Sequence, residues 1–564
     1  MGLNDTNRRT FLGMVLAAGV GPAIVARQSD SGAQASEMDV EGARIERVGR
    51  YATGEALGGA EIVSFDAAEN RLFVVNSNAG QVEVLDLADP TTPDQDAVLE
   101  ASAIAQRETT TLDAAGGTNS VAVHDGIVAA AVEADPATDD GAVAFYDASS
   151  LEFINAVPVG PLPDKVTISP DGNYTVVANE GEPGSATDPA GSVSVIDISS
   201  SVEAAETSTA TFRNFDGEED RLREEGVHIV SADDGSARAS ESFEPEFVAV
   251  SPDSSTAFVS LQENNALARI DLGDATVERV DGLGFKDFSL PGNELDASDA
   301  DGTSFQSWPV EGMYQPDAID TYEVAGETFV VTANEGDAKD FEVSILGDLD
   351  LDPDGFELTE FPQVDSVEDL KQPVHLGNME VNEAAMAEFA DEDGDGSYSS
   401  IYAIGGRSFS VWKPTATGVD LVFDSGDDFE RTFAQQRPEG HVNLVESGPE
   451  TESIELGAVG DRTFAFVGQE KGSGIAVYDV TNPTAPEFRQ MAINRNYDVS
   501  EDDLEAAAEA DPDGDRPARA GDFAPEGVHF VSAEESPIEN PLLCVGYEVS
   551  GTVGVFEVEP VTGE

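Results

Sequence analysis

Seven self-similar units of short alternating strands predict an all-β chain folded as a β-propeller of seven blades, with eight as the alternative count and long acidic loop insertions. Three observations carry this. First, each unit opens on a small residue or proline, then an acid or amide, then any residue, then Val or Ile: "AEIV" at Ala60, "TNSV" at Thr118, "PDKV" at Pro163, "PEFV" at Pro245, "PDAI" at Pro316, "TESI" at Thr451 and "PEGV" at Pro525. Second, an apolar strand follows and closes on a polar residue: "VVNS", "AAVE", "VVANE", "VSLQE", "VTANE", "FVGQE" and "CVGYE". Third, an alternating strand such as "GSVSVIDI" or "GIAVYDV" comes after a variable loop. Period-two alternation with few helical stretches means antiparallel sheets. One small sheet cannot bury both of its faces, and stacking sheets in a ring does so while leaving only short edges. A two-sheet sandwich fits poorly, because seven units exceed its usual strand count.

Residues 1–35 read as an export signal and linker. "NRRTFLGMVLAAGVGPAIVA" pairs Arg8 and Arg9 with a modest apolar run, the pattern of a twin-arginine signal, with cleavage after Ala26 or Ala35. The run is too short and glycine-rich for a membrane span, so no span is expected in the mature chain, and the protein is expected to be extracellular or on the cell surface. Residues 45–560 then form a single propeller domain. It is interrupted by insertions near 212–244, 340–398 and 497–522, the last with a helical stretch from about Glu501 to Ala510. Ser400 to Pro414, "SIYAIGGRSFSVWKP", lacks a first strand of its own and is expected to complete the fifth unit. Cys544 is the only cysteine and lies in an apolar run, so no internal disulfide forms.

The repeat also places acids. In a blade the first strand lines the channel and the second returns beside it, so the start of one and the end of the other share a face. The first-strand acids are Glu61, Asp164, Glu246, Asp317, Glu452 and Glu526, with Asn119 as the amide variant. The second strands end in Glu133, Glu180, Glu263, Glu335, Glu470 and Glu548, with Ser77 in the first unit. Carboxylates converging on one mouth repel unless protonated, solvated or neutralised by a cation. Oxygen-only donors suit Ca²⁺, with Mg²⁺ or Mn²⁺ next. The ligand candidates are Asp164, Glu180, Glu246, Glu263, Asp317, Glu335, Glu470, Glu526 and Glu548; the competing expectation is that these residues cap strand ends. Asp391, Asp393 and Asp395 before Gly396 match the front of a calcium loop, though position twelve is Tyr402 rather than glutamate, and an acidic turn is the alternative. The five histidines are scattered without ligand spacing and read as structural. No nucleophile elbow, P-loop or zinc-protease motif is present.

With 112 acids against 28 bases the net charge is −84. Such a surface suits molar salt, where the screening length falls to about 3 Å, and it excludes nucleic acid and anionic membrane as partners. The partner is expected to be an unidentified surface or small-molecule ligand.

"LPDKVTISPDGNYTVVANEGEPGSATDPAGSVSVID", "GMYQPDAID", "VVTANEGDA", "GGRSFSVW" and "EVSGTVGVFE", in this order, resemble the choice-of-anchor I family, whose likeness extends from about Ala52 to Val558. The resemblance implies a secreted or surface-held propeller. Some members are labelled alkaline phosphatase, which implies as the alternative a metal-dependent phosphoesterase, with Arg407 and Lys339 contacting phosphate. The sixth unit departs from the family pattern at Thr451 and Ser453.

Overall fold

The computed structural model describes residues 40–562 apart from 106–111, 113, 185–186, 231–236, 299, 301, 340, 392–393, 439–446, 501–502, 505 and 507–516. The signal segment and most of the helical stretch expected after Glu501 lie outside the described residues.

Each unit of the repeat becomes a four-stranded antiparallel blade. Blade one is Val63–Asp66, Arg71–Asn76, Gln81–Asp86 and Asp94–Glu100, paired in chain order. Its second and third strands are buried on both faces, because a neighbouring blade lies on each side. Its fourth, at the rim, is largely exposed and correspondingly polar. The inner strands of blades two to six are Ala115–His124, Pro163–Ile168, Val248–Val250, Ile319–Val324 and Ile454–Val459. Blade seven contains Pro525–Val531, Leu542–Tyr547 and Thr552–Thr562, and its outermost strand is Val40–Ala52 from the other end of the described chain. Val40 pairs with Thr562 and Ala52 with Thr552. Consecutive inner strands touch all the way round, and that of blade seven touches that of blade one, so the ring is closed with seven blades. Ser408–Pro414 and Val419–Asp424 complete blade five; of the segment Ser400–Pro414 expected to do so, Tyr402–Ala403 belongs instead to a sheet of the insertions.

An inner strand has one edge without a strand partner, and its backbone groups still need bonds. Side chains of the adjacent blade supply some of them. Ser64 Oγ accepts the Val123 amide at 3.0 Å, and Ser120 Oγ accepts that of Val166 at 3.2 Å. Asp320 Oδ2 accepts Leu456 N at 2.9 Å and Glu455 Oε1 accepts Phe530 N at 3.3 Å. The blades are thus laced to one another at the channel wall.

The insertions hold more structure than their turn signals suggest. A five-stranded sheet joins Phe285–Asp287, Glu311–Met313, Tyr402–Ala403, Glu380–Asn382 and Val343–Ile345 around its own core, which includes Trp308, Leu346, Met379 and Met386. Phe285–Asp287 and Glu311–Met313 lie in the connection between blades four and five, ahead of the Pro316 motif, where no repeat signature is present. The sheet's three-residue strands are too short for alternation to register. No helix among the described residues is long and apolar enough to cross a membrane.

His228 ties two insertions together. Its Nδ1 lies 2.5 Å from Glu388 Oε2 and its Nε2 3.2 Å from Glu342 Oε2, while Asn382 Nδ2 donates to the same Glu342 oxygen at 2.8 Å. Burial alone would pull the imidazole pKa down, but hydrogen bonds to Glu342 and Glu388 outweigh it and hold it up to about 9. Its stabilising charge is therefore fully present below the ordinary value of 6.5 and is lost as pH rises through about 9. His228→Leu leaves the two carboxylates without their shared cation. A loss of about 3–5 kcal/mol is expected, read by denaturant unfolding at pH 7. A loss below about 1 kcal/mol would remove the clamp role.

Candidate functional site

The inner-strand acid sits two residues before the residue that begins the regular pairing, and its amide bonds back to the second strand. Glu61 N donates to Val75 O at 3.0 Å, Asp317 N to Ala333 O at 3.1 Å and Glu452 N to Gly468 O at 3.2 Å. This fixes each acid at the start of the channel wall, level with the end of the neighbouring strand. Among the described residues three carboxylate triads result, each with ligand atoms within 4.8 Å of one another. Glu526 and Glu548 of blade seven meet Glu61 of blade one. Asp317 and Glu335 of blade five meet Glu452 of blade six. Glu180 of blade three meets Glu246 and Glu263 of blade four. Inner-strand and second-strand acids therefore meet across blade boundaries at one mouth.

Blade four corrects the repeat alignment. Val248 pairs with Val259 as Ile319 pairs with Thr332, so the position of Glu335 is held in blade four by Gln262, one residue before Glu263. Gln262 Nε2 donates to Glu335 Oε2 at 2.7 Å, reaching the triad of blades five and six from blade four. Glu263 reaches its triad from the following loop.

Burial raises these carboxyls. Glu61 is pushed up to about 8, with Ser77 opposing through a hydrogen bond and Glu548 adding to the rise. Glu335 reaches about 8 and Asp317 about 7, in both cases through burial and the nearest carboxylates. Glu263 is held up to about 8 although Lys339 opposes. Asp164 rises to about 6 through burial, opposed by Lys165. Glu180, Glu246, Glu452, Glu470 and Glu526 lie well above the carboxylate range for the same reasons: burial first, then neighbouring acids.

The third triad stands apart. Glu246 and Glu263 are 9% and 5% exposed, and among the described residues the Oε2 atom of each is buried with no hydrogen-bond partner. A strand-end cap would spend those oxygens on backbone amides. Glu133 does so, accepting Gly117 N at 2.8 Å. Asp391 does likewise, accepting the amides of Gly394 at 2.8 Å, Asp395 at 3.1 Å and Gly396 at 3.0 Å. Asp395 accepts that of Ser397 at 2.9 Å, and Asp393 lies outside the described residues. Arg407 is 2% exposed, with Nη1 3.1 Å from Glu430 Oε1, and Lys339 pairs with Glu244 beside the third triad.

Sequence reasoning left Glu61 and Glu452 out of the ligand set and missed Lys165. That residue follows Asp164 on the inner strand of blade three, with its ammonium 3.9 Å from the centre of the Phe247 ring. The signal was in the repeat: the position after the acid holds Ile62, Ser120, Phe247, Ala318, Ser453 and Gly527 elsewhere, and a lysine only here.

A family model, the choice-of-anchor I domain, matches residues 61–483. The chain belongs to this family. Among curated proteins, this choice-of-anchor I chain is 30% identical over 245 residues to a mesenchyme-specific cell surface glycoprotein of Strongylocentrotus purpuratus, covering 37% of this chain and 32% of that protein. It is 27% identical over 179 residues to Gigasin-3a of Magallana gigas, covering 29% of this chain and 60% of that one. The match thus spans less than two thirds of either relative. Among solved structures, the hydrazine synthase of Kuenenia stuttgartiensis aligns over 90% of this chain and 97% of that one, at 12% identity and a TM-score of 0.43.

Proposed function

We propose that this choice-of-anchor I propeller is exported by the twin-arginine route, acts outside the cell as a secreted or surface-held binding protein, and holds divalent cations, calcium foremost, at its acidic channel mouth. The observation that carries the cation reading is the Glu180, Glu246 and Glu263 triad with its two buried, unpartnered oxygens. A buried acceptor left without a donor costs about 1–3 kcal/mol or more. A hard divalent cation is the partner that satisfies three carboxylates at once, and Ca²⁺ completes its six to eight oxygen ligands from carboxylates, carbonyls and water. The extracellular reading is supported by the paired arginines near the start of the sequence and by the surface glycoprotein among the relatives. A phosphoesterase reading gains no support from the geometry, since Arg407 is engaged with Glu430 and Lys339 with Glu244.

Glu246→Gln with Glu263→Gln keeps shape and removes two charges from one triad. Calorimetric titration with CaCl₂ at fixed high salt should show affinity falling by at least about tenfold, roughly 1.4 kcal/mol. Equal calcium affinity in wild type and double variant, or no calcium binding by either, would retire the cation reading.

A further inference from the structure

We infer that the channel interior below the acidic mouth is a second binding site, for a small zwitterion of amino-acid size whose anionic group rests on Lys165 and whose cationic group faces Asp320 and Glu455. Two cavities share Ile62, Lys165, Phe247 and Glu526 in their walls. Above them a pocket of about 30 Å³ is closed in by the mouth acids Asp164, Asp317 and Glu526. Below them the channel widens to about 280 Å³. Lys165 and Phe247 therefore lie as a floor between the mouth and the wider space beneath. At about 30 Å³ per molecule it has room for roughly nine waters.

The charges of that compartment are unusual in arrangement. Among the described residues the Lys165 ammonium has no hydrogen-bond acceptor and no carboxylate within 4.0 Å; it lies over the Phe247 face, with Glu455, Asp164, Asp317 and Glu526 acting on it from farther off. A cation–π contact is worth about 2 kcal/mol when desolvated, and it leaves the three N–H donors unspent. Across the same cavity Asp320 and Glu455 also line the wall. Each already accepts one backbone amide from the next blade, and a carboxylate has about four acceptor sites, so each retains capacity. Glu526 and His529 complete the charged or titratable groups on the wall, with His529 Nδ1 3.8 Å from Glu455 Oε1. A plain anion entering here meets Lys165 but leaves Asp320 and Glu455, which burial holds up to about 6 and about 8, without a cation. A plain cation meets those acids but is repelled by Lys165. A molecule carrying both charges satisfies both, and hydroxyls at Ser64 and Thr167 and the apolar side chains of Val123 and Ile168 accommodate the rest.

The test uses the full chain at fixed high salt with four probes: glycine, L-alanine, propionate and propylammonium. Melting shifts and ligand-observed NMR should show binding of the two amino acids and at least tenfold weaker binding of the two singly charged probes. Lys165→Met should abolish the amino-acid signal and Lys165→Arg should retain part of it. Glu455→Gln should weaken it, and if Lys165→Met fails to fold, this variant decides. Glu246→Gln with Glu263→Gln, on the other side of the floor, should leave it unchanged, which separates this site from the cation site at the mouth. Absence of amino-acid binding by the wild type would overturn the proposal. So would equal binding of propionate or propylammonium, or wild-type affinity in a folded Lys165→Met protein.

Discussion

In the presence of chelator the melting midpoint should fall as pH rises from about 5 to about 8, and calcium should restore it at the upper end. The sign follows from the mouth. Glu61, Glu263 and Glu335 titrate near 8 in the folded protein against an ordinary 4.5, and Asp317 near 7 against 3.8. Their folded state holds protons that the unfolded chain has released, so stability is full below the ordinary values and is lost as pH rises through the raised ones. Each tenfold gain in proton affinity on folding corresponds to about 1.4 kcal/mol for an unscreened group. Water in the half-open mouth screens part of this, but several carboxyls move together. A divalent cation competes with those protons, because it binds only the ionised form. Calcium should therefore stabilise little near pH 5 and most near pH 8, and the pH dependence should flatten at saturating calcium. Differential scanning calorimetry across that range, with chelator and with calcium, reads both slopes. A midpoint that is flat in chelator would show that water keeps the mouth acids near their ordinary values. A calcium effect equal at both pH values would place the ion elsewhere.

Lowering the salt should cost still more. At a net charge of −84 the surface repels itself, and the screening length grows from about 3 Å in molar salt to about 30 Å at 10 mM. The acids are spread over nearly every loop, so repulsion acts on the whole ring. The midpoint should drop by at least about 10 °C between molar and tens-of-millimolar sodium chloride, a loss of roughly 11 kcal/mol at about 2.1 cal/mol/K for each of about 520 residues. Repeating the series in choline chloride separates general screening from a specific sodium requirement. A midpoint independent of salt would mean the acid excess does not tune stability.

The ring and its acidic mouth were legible because both are local and repeated. An inner strand of three to ten residues behind a marked opening motif recurs seven times, and the second-strand glutamates follow at fixed register in most units. What escaped was non-local or irregular. Gln262 and Glu263 stand side by side, and only the pairing of Val248 with Val259 shows which occupies the repeat position. The strand Val40–Ala52 alternates too weakly to announce that its partner lies at Thr552–Thr562. Lys165 stood in a recognised motif, but its meaning depends on Phe247 from the next blade. The sheet spanning 285–403 is built from strands of two or three residues, below the length at which period-two patterning registers.

The pairing of Val40 with Thr562 has a mechanical consequence. Segments joined at these two positions leave side by side from the outermost seam of blade seven, far from the channel axis. A pull between them peels the antiparallel pair from that end, so the load falls on one hydrogen-bonded step at a time. The seam is then a zip that opens under low force, ahead of the six other blades. A pull on one attachment alone, against an object held at the channel mouth, passes instead through the sheets and leaves the seam shut. Attachment at a single end thus lets the disc resist drag that would open it if both ends were held.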